Sequence, residues 1–126
     1  MLHQLMKIKQ HRERGLRNEL AHTTRLRQQV EQEISLLQQH RNEIKDKWQL
    51  ACLELTGVID HRVLIRWSEH MHSYQLKYEA VGQQISMQQQ LHTRLTQEEI
   101  ELQGMLRQVL RSQDKINYMI LEGADN

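Results

Sequence analysis

Apolar side chains recur along this chain at alternating spacings of four and three, with polar residues between them. From residue 16 the series runs Leu16, Leu20, Thr23, Arg27, Val30, Ile34, Leu37, Arg41, Ile44, Trp48, Ala51 and Leu55. It resumes as Leu64, Trp67, Met71, Tyr74, Tyr78, Val81, Ile85, Gln88, His92, Leu95, Glu99, Leu102, Leu106, Val109, Gln113, Ile116 and Ile120. Such spacing, sustained over several heptads, is what a coiled-coil seam requires, because it keeps one narrow stripe of a helix facing its partner. The pattern stops once, inside "LELTGVIDHRVLIRW", where Gly57 suits the left-handed residue that ends a helix and Asp60 can cap a new one. A short connection between two long helices favours an antiparallel pair. The expected fold is therefore all-α: two long helices forming an antiparallel coiled-coil hairpin. Helix 1 spans about 2–55, the turn about 56–60 and helix 2 about 61–121, with a short tail, all in a single domain.

Folding about residues 57–60 sets Ala51 beside Trp67, Ile44 beside Tyr74 and Leu37 beside Val81. Farther out, Arg27 comes level with His92 and Leu20 with Glu99, so polar seam positions of the two helices fall at similar heights. Buried polar groups are tolerable only when partnered or wet. Each arm of roughly 55 residues would extend about 80 Å.

Composition agrees with this reading. The 126 residues include no proline and no phenylalanine, and glutamine recurs in runs such as "SMQQQL". These are long solvated helices with one thin apolar seam. Charge is close to balanced overall but uneven along the chain. Residues 1–27 carry Lys7, Lys9, Arg12, Arg14, Arg17, Arg25 and Arg27 against Glu13 and Glu19, whereas residues 97–126 lean acidic. Cys52 is alone, so no internal disulfide is expected, which suits a reducing cytosol. No segment approaches the roughly 20 apolar residues that span a bilayer. The start lacks the apolar run of a secretory signal. A soluble cytoplasmic protein is expected.

Catalytic and metal chemistry find little support. His70 and His72 are two apart, which places them on nearly opposite faces of a helix, and no HExxH or cysteine pair occurs. The glycines are isolated, so no phosphate-cradling loop is written. No enzyme activity, cofactor or metal is expected. The basic residues of 7–27 could follow a phosphate backbone, but no aromatic side chains interleave with them, which argues against nucleic acid. Protein recognition is what remains. Surplus apolar residues gather at the open end (Leu2, Leu5, Met6, Ile8, Met105, Leu110, Met119, Leu121) and at the turn (Val58, Ile59, Val63, Ile65). Leftover apolar surface of this kind commonly marks a partner site.

Two stretches carry a resemblance to a known family. The opening "LMKIKQHRERGLRNEL" and the second-helix start "DHRVLIRWSEHMHSYQLKYEA" are similar to the FliJ/YscO-type stalk proteins of bacterial type III secretion and flagellar export. In the second stretch Asp60 stands near the cap, with Leu64 and Trp67 one turn apart and Tyr74 beyond. The resemblance implies a central stalk that binds a hexameric secretion ATPase and couples it to an export gate protein. Secretion chaperones are further partners it implies. It places Lys7, Lys9, Arg12, Arg14, Arg17, Arg107 and Arg111 against the ATPase ring, and Val58, Ile59, Val63, Ile65 and Trp67 toward the gate. It implies a monomer in isolation, in the bacterial cytoplasm at the cytoplasmic face of the apparatus, without membrane insertion. The alternatives are a homo-oligomeric structural coiled coil and a secretion chaperone or escort protein. The stalk and the oligomer differ in mass by light scattering.

Overall fold

The computed structural model describes residues 1–54 and 60–123. Two helices make up nearly all of it: α1, Leu2–Leu53, and α2, His61–Leu121. They pack against each other in opposite directions, as the seam spacing predicts. The expected turn at Gly57, the seam residue Leu55 and the apolar Val58 and Ile59 lie outside the described residues.

The start of α2 shows how the sequence sets a helix boundary. The Val63 N–H donates to Asp60 Oδ1 at 2.9 Å, and the Leu64 N–H donates to the Asp60 carbonyl at 3.1 Å. Asp60 is thus the N-cap, satisfying a donor that the first turn leaves without a partner. Asp60→Ala should lower stability by about 1 kcal/mol in urea denaturation, whereas Asp60→Asn should lose little. At the other end Gly123 takes φ +73°, and its N–H donates to the Ile120 carbonyl at 3.0 Å. A left-handed residue two positions past the last helical one closes its last turn, and glycine is the residue that does so without strain.

Burial follows the seam. All twelve buried side chains among the described residues are seam positions: Leu16, Thr23, Val30, Ile44 and Ala51 on α1, and Val81, Ile85, Leu95, Glu99, Leu106, Val109 and Ile116 on α2. The seam continues upstream through Glu13, Lys9, Met6 and Leu2, each half-buried at the same alternating spacing. Leu2 and Met6 are therefore seam residues, while Leu5 and Ile8 stay exposed. Leu64, an expected seam residue in the first turn of α2, is 45% exposed.

With seam residues labelled a and d, Leu16 is a d position, Leu106 an a position and Val109 a d position. In an antiparallel pair the e positions of both helices then border one side of the seam and the g positions the other.

The chain divides into two compact units, Met1–Gln29 with His92–Asn126, and Val30–Leu91. The first is built on Leu16, Leu106 and Val109, with Leu20, Leu102 and Leu110 packed against them. The second is built on Ile44, Val81 and Ile85, with Leu37, Tyr74 and Tyr78 around them.

Candidate interaction surfaces

In the first unit the basic residues divide according to heptad position. Lys7, Arg14, Arg17, Arg107 and Arg111 occupy b, e and f positions on the e side of the seam, all exposed. Arg12 is exposed on the opposite, g side, and Lys9 sits on the seam itself, half-buried. Five of the seven basic residues named from the sequence thus share one side, and two do not. Apolar side chains border the g side instead. Met1, Leu5 and Ile8 fall at c and g positions of α1, and Met105 and Met119 at g positions of α2, all five exposed.

Glu13 ties the basic flank to the seam. Its carboxylate accepts from Arg17 Nε at 2.7 Å and from Gln113 Nε2 of the opposite helix at 2.8 Å. The hydrogen bond from Arg17, then the one from Gln113, hold its carboxyl below the ordinary value. A carboxyl depressed in this way stabilises the fold above its unfolded pKa, and the contribution disappears as pH falls through the folded one. Melting temperature should therefore fall as pH drops through the acidic carboxylate range, and Glu13→Gln should flatten that dependence. Parallel pH profiles for parent and variant would remove Glu13 from this role.

A second polar pair crosses the seam of this unit. Arg27 Nε donates to Glu99 Oε1, and the two side chains are only 25% and 12% exposed. Arg27 had been expected level with His92, and its carboxylate partner stands one heptad farther along α2. Helical side chains lean toward their own N-termini. Long side chains of an antiparallel pair lean toward each other in this way, and the helices themselves pair farther along α2 than folding about residues 57–60 sets, since Leu16 packs on Leu106 and Val109 and Glu13 meets Gln113.

In the second unit the sequence residues assigned to the turn end take different positions. Val63 is exposed at a g position and Ile65 at a b position, so they do not share a side. Trp67 turns into the seam, half-buried, and its indole N–H donates to the Ala51 carbonyl at 3.2 Å, the pairing expected from folding about residues 57–60. Val58 and Ile59 lie outside the described residues. Exposed Leu50, Leu53 and Leu64 add to the apolar surface at this end.

The sequence reading named Arg41 as a seam residue but missed what surrounds it. Arg41 Nε donates to the Tyr78 carbonyl at 3.3 Å, and its Cζ lies 4.0 Å from the Tyr78 ring centroid. A Cβ at residue 82 would come within 2.5 Å of Arg41 Nη2, so Gly82 leaves the notch that the guanidinium occupies. The available signal was a glycine at an e position, four residues after a seam tyrosine and opposite a seam arginine.

Cys52 is exposed, with its Sγ 3.5 Å from Met71 Sδ. His70 packs edge-on to Tyr74, with centroids 4.7 Å apart. Among the described residues no three His, Cys, Asp or Glu side chains converge as metal ligands. No described helix is long and apolar enough to cross a membrane. No known protein family, no curated protein and no solved structure matches this chain.

Proposed function

We propose that this chain is a non-catalytic helical stalk of a bacterial type III secretion apparatus, docking on the hexameric secretion ATPase and coupling it to the export gate. The observation that carries the reading is the basic side formed by Lys7, Arg14, Arg17, Arg107 and Arg111, contributed by both helices of one unit. Exposed Met1, Leu5 and Ile8 border the same unit. Charge of one sign steers an acidic partner and apolar contacts hold it. The resemblance of the two sequence stretches supplies the identity of that partner. Exposed Leu50 and Val63, which share the g side of the second unit, support contact with a second partner, the gate. The stalk would transmit nucleotide-driven changes of the ring by asymmetric contact, at the cytoplasmic face of the apparatus, and hydrolyse nothing itself.

Reversing Arg14, Arg17 and Arg107 to glutamate should weaken stimulation of the cognate ATPase several-fold while circular dichroism keeps its helical signal. Undiminished stimulation would count against this surface.

A second reading, a coiled coil of paired hairpins, is favoured by the exposed apolar side chains Leu36, Leu76, Met87 and Ile100. Light scattering separates the two, giving a monomer for the stalk and a stable dimer or larger species for the structural assembly.

A further inference from the structure

Along the e side of the second unit two spaces meet at one side chain. Trp48 and Tyr78 stand edge to face, with centroids 6.1 Å apart and planes at 62°. With Lys45, Gln49 and Cys52 they wall a largely apolar pocket of about 280 Å³. Tyr78 also borders a more polar groove of about 450 Å³, lined by Gln38, Arg41, Asn42 and Ser86 among others. No carboxylate lines either space. Among the described residues neither Arg41 nor Lys45 has a carboxylate partner.

The Arg41 guanidinium is already positioned. Its Nε bond to the Tyr78 carbonyl, its stacking on the Tyr78 ring and the notch at Gly82 fix its plane and leave its remaining N–H groups for the groove. A guanidinium held this way binds a carboxylate in a fork without first losing rotamer freedom. Lys45 lies one helical turn away on the same side and adds a second positive charge. Tryptophan, tyrosine and arginine are also the side chains that dominate binding energy at interfaces. A furrow between two packed helices accepts the ridge of a third.

We propose that this surface binds an amphipathic helix of another protein, one that places a bulky apolar side chain against Trp48 and Tyr78 and an Asp or Glu one turn away on Arg41 and Lys45. The apolar pocket sets the depth of the anchor. The paired cations select the acidic residue beside it, and Gly82 leaves the notch that holds the Arg41 guanidinium in place. The surface would take such a helix whether or not the basic side of the other unit meets an ATPase ring.

The test is selection of a phage-displayed library of helical peptides against the whole chain, followed by fluorescence anisotropy with the synthetic winners. The expected winners carry an apolar residue with Asp or Glu three or four positions from it. Their affinity should fall at least tenfold with Lys45→Glu, and again when the peptide acid is replaced by its amide. Arg41→Leu and Gly82→Val should weaken binding as well, whereas Arg12→Glu in the other unit should leave it unchanged. Winners without an acidic residue, no winners, or binding indifferent to the exposed Lys45→Glu change would overturn the proposal. A dimer of the chain alone that Lys45→Glu dissociates would assign the surface to a second copy, and would overturn it too.

Discussion

Glu99→Leu should lower the unfolding free energy by roughly 2–3 kcal/mol, although it adds apolar surface to a seam position. The reason is what it leaves behind. Arg27 is about three-quarters buried and donates to Glu99 across the helix pair. Without that carboxylate the guanidinium, three-quarters buried, loses its ionic hydrogen bond across the helix pair. Breaking one side of a fully buried pair costs about 3–5 kcal/mol, and the residual exposure of both partners, with the other contact that Arg27 keeps, reduces the figure here. The double variant Arg27→Leu with Glu99→Leu should recover most of the loss, because two leucines complete an apolar layer. Urea midpoints at unchanged denaturant slope measure both effects. A single variant as stable as the parent would mean that Arg27 reaches water without strain.

Ile44→Ala should cost about 2–3 kcal/mol, the lower part of the range for truncating a buried aliphatic side chain. Ile44 is 6% exposed and clusters with buried Val81 and Ile85 in the second unit. A two-helix seam is open on both sides, so water and the neighbouring Tyr74 and Tyr78 can partly fill the space, which keeps the cost below that of a globular core. Leu36→Ala on the same helix, where the side chain is 60% exposed, should change stability by less than about 0.5 kcal/mol. Equal losses at the two positions would mean that α1 presents a different face to α2 from the one described.

The contrast between these positions was legible in the sequence, because one stripe at 3-4 spacing is the only arrangement that lets two helices hide apolar side chains along their whole length. Ile44 lies on the stripe and Leu36 does not. Asp60 as a cap was legible for a similar reason, since a short carboxylate before an apolar run has one obvious use. The partners of long polar side chains were less so. Arg27 was placed by helix level alone, and the lean of both side chains, together with a pairing of the helices farther along α2 that Leu16 and Glu13 share, carries it to Glu99. Arg41 was harder still, because its setting depends on three residues from two helices. Gly82 reads as a weakness in a helix until the guanidinium beside it is seen. The basic side was only partly legible. Clustering in sequence brought Arg12 and Arg14 together, yet helical geometry puts them on opposite sides of the seam, and it unites Arg14 with Arg107 from the far end of the chain.

Among the described residues no side chain is sealed completely, and even the best-covered core positions, Val109 at 4% and Leu95 and Ile116 at 5%, keep some access to solvent. Unfolding such a molecule exposes little new hydrocarbon per residue, and exposed hydrocarbon is what makes the heat capacity of unfolding large. The free energy of this helix pair should accordingly vary with temperature along a shallow arc. Cooling would weaken it little, and on heating it would melt over a broad span.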